Sequence, residues 1–190
     1  MRFYDKIAPI YAVLNRLSMP PKKTLQEEVL KEKAGRLLDV GCGDGRDLLL
    51  FSKHDCWGID TSFNMLKTAL KEVKQDRLIH VESDKWPFLD SSFDYITVSH
   101  VLSVLTEQDL KVVLNEIARV LKPGGLLWIQ NHDSTGWRVF DTCLMPFSKL
   151  LHVQLPFYLE RTVSELEWEW VKSQKIGRFS YFKLITLRKR

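Results

Sequence analysis

Apolar positions along the chain change their period near residue 35. Before it, RFYDKIAPIYAVLNRL, broken by Pro9, and a second stretch from about Pro21 to Lys33 carry helical spacing, with lysines and glutamates set around Leu25, Val29 and Leu30. After it come short apolar runs: RLLDV at 36–40, WGI at 57–59, LIHVE at 78–82, FDYITVS at 93–99 and LLWIQ at 126–130. Helical stretches lie between them, namely DLLLFSKH, SFNMLKTALKEVKQ and EQDLKVVLNEIARVLK, the last stopping at Pro123, Gly124 and Gly125. Strands alternating with helices pair in parallel through right-handed crossovers. The pattern therefore predicts an α/β fold, an open sheet covered by helices on both faces, which binds ligands at the carboxyl ends of its strands.

The carboxyl end is less regular. A last helix is expected from the Thr162 to Glu165 capping box. The remaining IGRFSYFKLITLRKR has no Gly, Pro or Asn after Gly177 to make a tight hairpin, and reads as a shortened strand pair or as one long strand. An incomplete sheet edge of this kind would let a second subunit pair with it as a homodimer.

The 190 residues suit one domain, and no Pro/Gly/Ser-rich linker divides them. We expect a helical lid over 1–34, a ligand-binding core over 35–132 and an insertion on the acceptor side over 133–161. No signal-like segment opens the chain and no apolar run reaches the roughly 20 residues that span a bilayer, so a cytoplasmic location is expected. Cys42, Cys56 and Cys143 form neither a CxxC pair nor a ligand set, and no metal is expected. The net charge of +4 is uneven: Lys172 to Arg190 holds seven Lys or Arg and no Asp or Glu. Such a tail suits either a solvated edge or peripheral contact with phosphates or anionic lipid.

The densest chemistry lies in LLDVGCGDGR at 37–46. Gly41, Gly43 and Gly45, with Cys42 and Asp44 between them, let the backbone approach a ligand at the start of a helix. A dinucleotide fingerprint needs a third glycine where Arg46 stands, and Asp39 and Asp44 would repel a diphosphate. The ligand should thus combine cationic groups and a ribose without phosphate, which is the composition of S-adenosylmethionine. Asp60 closes WGID at the position from which an acid accepts from ribose hydroxyls; with Thr61 and Ser62 it also forms a helix cap. Asp84 in ESDKWPF stands where it could accept from an adenine amine, with Trp86 or Phe88 facing the ring.

The series LLDVGCGDGR, WGID, SDKWPFLDSSFDYITVSHVL and RVLKPGGLLWI resembles the class I S-adenosylmethionine-dependent methyltransferases, type 11 group, over roughly residues 35–132. The resemblance implies a Rossmann-like, doubly wound, mostly parallel sheet. It also implies that Asp39 and the Gly41–Gly45 turn bind the methionine end of the cofactor, Asp60 the ribose, Asp84 and Lys85 the adenine, and Ser99 the amino-acid moiety. FYDKIAPIYAVLNRL is similar to the opening segment of ubiquinone and menaquinone C-methyltransferases and of enzymes that methylate phospholipid amines, although Ala12 follows Tyr11 where those families carry an acid.

A long segment after LLWIQ carries Trp137, Phe140, Met145, Phe147 and Phe157 and suits an apolar, small-molecule acceptor, or packing on the core. His100 and His132 follow strands and are the candidates for a base. SHVL after the fourth strand differs from the Asn-Pro-Pro-Tyr type of base-amine methyltransferases and no Pro-Cys pair is present, which disfavours nucleic acid. RNA or protein methylation, and a non-catalytic cofactor-binding partner protein, remain the alternatives.

Overall fold

The computed structural model describes residues 22–82, 85–132, 163, 168–176 and 182–190. Its elements are α1 (Lys23–Lys31), β1 (Arg36–Val40), α2 (Arg46–Leu50), β2 (Asp55–Asp60), α3 (Phe63–Ala69), β3 (Leu78–His80), β4 (Phe93–Ser99), α4 (Glu107–Val120), β5 (Leu121–His132), β6 (Trp168–Ile176) and β7 (Phe182–Lys189). The seven strands form one sheet in the order β3-β2-β1-β4-β5-β7-β6. Neighbours from β3 to β5 are parallel, and β7 runs antiparallel to both β5 and β6. This is the doubly wound α/β sheet that the alternating pattern predicts. Order reverses at β1, where the chain crosses from β3 to β4.

Alternation along each strand divides the core in two. Leu38, Val40, Ile96, Val98, Leu127 and Ile129 pack on one face beneath Leu110, Val113, Leu114 and Ile117 of α4. Leu37, Leu126, Trp128 and Leu184 pack on the other beneath Leu25 and Val29 of α1. Each such side chain withdrawn from water contributes about 1.5–3 kcal/mol, so the sheet's period of two holds both helical layers in place. The period also decides what faces the ligand end: Asp39, Thr97, Ser99 and Gln130 extend the α1-side rows toward the carboxyl ends.

Several elements differ from their sequence patterns. α3 stops at Ala69, short of the expected Gln75, and the turn after it lays Val73 against Cys42, Leu48 and Leu66. α4 ends at Val120, and Leu121 is already extended and paired with Phe93. Pro123–Gly125 is therefore an irregular start to β5 rather than a separating loop. Gly125 belongs there because a β-carbon would lie 2.9 Å from the Asp94 carbonyl oxygen.

Residues 168–175, expected within the final helix, belong to strand β6, which pairs with β7 from Trp168↔Lys189 to Ile176↔Phe182. The carboxyl-terminal pair is thus nine and eight residues long, so it is the helix that gives way. β6 is the sheet edge, bearing exposed Trp170 and Val171 and a register shift between Trp170 and Lys172. The lid segment before residue 22 and the insertion at 133–161, with Trp137, Phe140 and Phe147, lie outside the described residues. No helix among the described residues is long and apolar enough to cross a membrane.

Candidate functional site

The turn from β1 into α2 is stitched to the end of β2. Gly41 N–H and Cys42 N–H both donate to the Ile59 carbonyl, at 2.8 and 3.0 Å, and Gly43 N–H donates to Asp60 Oδ2 at 2.8 Å. The other Asp60 oxygen accepts from Ser62 N–H at 2.8 Å, so one carboxylate joins the turns after β1 and β2. Gly41, Gly43 and Gly45 have φ of +72°, +56° and +77°. At Gly41 a β-carbon would stand 2.1 Å from Val101 Cγ2, so any other residue here would displace the Val101 side chain as well as strain the backbone.

Beneath the turn, β1–β4 register sets Asp39 beside Thr97, whose hydroxyl donates to Asp39 Oδ1 at 2.8 Å. Burial, then the negative charge of Asp47, push the Asp39 carboxyl up to about 8, against the pull of Lys22 and the Thr97 bond. Asp47 is 4 % exposed and receives a hydrogen bond from Lys22 Nζ. That ion pair anchors the start of α1 to the first turn of α2. Burial also pushes the Cys42 thiol well above its ordinary range, which makes Cys42 a packing member of the turn and not a nucleophile.

These groups open onto a pocket of about 370 Å³ whose lining includes Lys22, Gly41–Gly43, Asp44 and Asp47, with Leu49, Leu50 and Met65 as its apolar wall and Ser99 and His100 at the end of β4. The Ser99 hydroxyl is buried there without a hydrogen-bond partner among the described residues. The pocket suits the methionine end of S-adenosylmethionine: acids for its cations, Lys22 and an unmatched hydroxyl for its carboxylate, glycine backbone where it must lie close. Asp60 suits ribose hydroxyls, since a carboxylate oxygen that holds a backbone N–H can accept a second hydrogen bond.

Of the remaining expected residues, Thr61 is exposed and its carbonyl accepts from the His80 ring at 3.1 Å. Asp84 lies outside the described residues. Lys85 is exposed, in an isolated antiparallel bridge with Glu82. Trp86, one of two aromatic residues expected near the adenine, is 4 % exposed within the main core, and its backbone N–H donates to Glu116 Oε2 at 3.1 Å. Phe88 packs edge-on to Phe93 and Trp57. Arg119 closes this segment by donating to the carbonyls of Phe88 at 2.8 Å and Trp86 at 3.2 Å. The apolar side chains after β3 are anchors of the loop.

His100 adopts φ +60°, with its N–H donating to the Gln130 carbonyl at 2.8 Å. Its ring Nε2 lies 3.2 Å from Gln130 Nε2, and Phe182 meets it edge-on. The His132 backbone pairs with Phe182 in the β5–β7 ladder, and its side chain lies outside the described residues. Sequence reasoning missed Lys22, Asp47, Thr97 and Gln130. The first two come together across a sequence separation of 25, and the last two need the strand register to reveal which face they share.

A family of proteins described as a methyltransferase domain matches residues 38–129. A demethylmenaquinone methyltransferase of Staphylococcus saprophyticus is 30 % identical over 178 residues, covering 87 % of this chain and 76 % of that one. One of the same description from Staphylococcus aureus is 29 % identical over 180 residues, covering 88 % and 74 %. Among solved structures, a SAM-dependent methyltransferase from Aquifex aeolicus superposes with a TM-score of 0.74 at 19 % identity, over 96 % of this chain and 97 % of that one. By this family match and these relatives, the chain belongs to the class I S-adenosylmethionine-dependent methyltransferases and takes S-adenosylmethionine as its cofactor.

Proposed function

We propose that the enzyme methylates a small, largely apolar acceptor of quinone, lipid or metabolite type by in-line transfer. The observation that carries this reading is the distribution of charge about His100. On the cofactor side stand Lys22, Asp44, Arg46 and Asp47, whereas on the β5–β7 side the neutral Gln130 and the ring of Phe182 meet His100. An apolar wall with a few placed polar groups is the ordinary form of a small-molecule site. The demethylmenaquinone methyltransferases at about 30 % identity favour a quinone-type acceptor within that class.

When bound, S-adenosylmethionine supplies an electrophilic methyl group on a sulfonium. The chain's own work is alignment and, for an acceptor that carries a proton, its removal. Asp39, Ser99 and the Gly41–Gly45 turn would hold the methionine end, Asp60 the ribose, and Asp84 with Lys85 the adenine. His100 is the base we favour, because it lines the pocket. His132, two residues beyond Gln130 on β5, is the other candidate.

The test is incubation with methyl-labelled S-adenosylmethionine and, in parallel, a quinone and lipid extract, tRNA and duplex DNA. Label should enter a solvent-extractable apolar product. Label in nucleic acid, at a rate falling steeply with salt, would overturn the acceptor assignment.

A further inference from the structure

His100 occupies a backbone conformation that residues with a β-carbon seldom enter, at φ +60°. Such strain persists where surrounding contacts over-determine it, and it gathers at functional sites. Here one residue supplies two of those contacts: the Gln130 carbonyl accepts the His100 N–H at 2.8 Å, and the Gln130 amide lies 3.2 Å from the His100 Nε2. Gln130 is there by register, since β4–β5 pairing sets it opposite Ser99 and alternation brings it out on the same face as Trp128. It is fully buried, and its Oε1 has no hydrogen-bond partner among the described residues. Packing alone would favour an apolar side chain at this position, because a buried amide that is incompletely matched is destabilising.

What an amide can do that an apolar side chain cannot is choose a histidine tautomer. With its oxygen toward Nε2, the ring proton sits on Nε2 and Nδ1 is basic; with its NH2 group there, the reverse holds. It also does so without charge. In a site that already buries the Asp47 carboxylate, a further carboxylate would add repulsion.

We propose that Gln130 is the positioning residue of His100, holding the imidazole in one orientation and one tautomer so that it receives the proton a neutral acceptor loses on methylation. The proposal rests on the reading of His100 as the base. In the step, the acceptor's bond to the methyl carbon would form as the methyl–sulfur bond of the sulfonium breaks, its electron pair staying on the sulfur of the S-adenosylhomocysteine that leaves, and the acceptor's bond to hydrogen would break with its electron pair kept by the acceptor. With the Gln130 amide turned so that its oxygen, and not the NH2 group now 3.2 Å away, faces the ring, the proton passes to the buried Nδ1, giving imidazolium that keeps its Nε2–H on the amide oxygen, and it leaves to water afterwards.

Among the described residues, the ionisable groups that line the pocket with His100 are Lys22 at the start of α1, and Cys42, Asp44, Arg46 and Asp47 in the turn and α2, with Asp39 buried in β1 beneath the turn. His132 and Lys183 occupy neighbouring ladder positions on β5 and β7. A pH profile of the native enzyme is therefore composite, and the informative comparison is between variants.

The full chain, saturated with S-adenosylhomocysteine, is compared with Gln130→Met, Gln130→Glu and His100→Gln by ring 15N NMR and by thermal melting. His100 in the native chain should show one dominant tautomer, and Gln130→Met should show the mixture of an unconstrained histidine. Gln130→Glu should raise the His100 titration midpoint by about one pH unit or more, as a carboxylate beside imidazole does. If Gln130→Met keeps the native tautomer and Gln130→Glu the native midpoint, the proposal is wrong, whatever the acceptor proves to be. With the labelled acceptor from the extract, Gln130→Met should lower kcat at least about tenfold while the KM for S-adenosylmethionine stays within about twofold. A native kcat in Gln130→Met beside a crippled His100→Gln overturns the role of Gln130 alone. A native kcat in His100→Gln instead removes the base reading, and with it the catalytic part of this proposal.

Discussion

Asp60 uses both carboxylate oxygens on backbone N–H groups, of Gly43 and Ser62, before any ribose is considered. Replacing it by Ala removes bonds to a charged group and also unties the two turns. Calorimetry should show S-adenosylmethionine binding weakened by about 1.5–3 kcal/mol or more, and unchanged affinity would refute the ribose assignment. Asp39 makes a prediction of the opposite kind, about stability and pH. Its carboxyl is raised by burial from an ordinary 3.8 to about 8, so between those values the folded chain holds a proton that the unfolded chain has released. Its contribution to stability therefore falls as pH rises through that window, and is constant below and above it. Asp39→Asn, neutral at every pH, should gain on the native chain in urea midpoint between pH 5 and pH 8. Parallel curves would mean that Asp39 is ionised in the fold.

At the scale of elements, the strand-to-helix turns carry the site, and their glycines are not equivalent. Gly41 and Gly124 both have positive φ, at +72° and +76°, yet a β-carbon at Gly41 would collide with Val101 whereas at Gly124 it would meet nothing within 4 Å. Gly124→Ala should cost about the left-handed penalty alone, 1–2 kcal/mol. Gly41→Ala should destabilise the fold further in denaturant titrations and abolish cofactor binding by calorimetry. Equal effects of the two substitutions would mean that the turn tolerates a side chain. The same scale explains why α3 and α4 are shorter than their apolar patterns: Val73 and Leu121 are apolar residues used by a turn and a strand, and periodicity cannot say which partner such a residue will find.

For the whole molecule, the consequential link is Lys22 to Asp47, which brings the start of α1 to the mouth of the pocket. Lys22 follows residues 1–21 in the sequence, and β5, which ends at His132, precedes residues 133–161. Lids over ligand sites belong to the less stable parts of a fold. Hydrogen exchange should thus be slower in residues 1–20, and in part of 134–160, when S-adenosylhomocysteine is bound. Identical protection with and without the ligand would make both segments static packing.

The sequence by itself determined the α/β class, the five parallel strands and the glycine turn with Asp39 and Asp60, because period and turn chemistry are local properties written within a few residues. It also sufficed to infer a phosphate-free, cationic ligand, since that came from which charges sit beside the glycines. It misplaced the end of the chain, where Trp168–Ile176 pairs with β7 as a strand although a capping box precedes it; the β7 edge available for pairing is not visible in the segment's own residues. Trp86 went to the core for a similar reason, since an aromatic residue after a strand serves a ligand and a hydrophobic cluster equally well by composition. The Lys22–Asp47 pair, the Asp39–Thr97 bond and the hold of Gln130 on His100 were decided only by tertiary structure, because each joins residues far apart in sequence whose meeting depends on strand order and register.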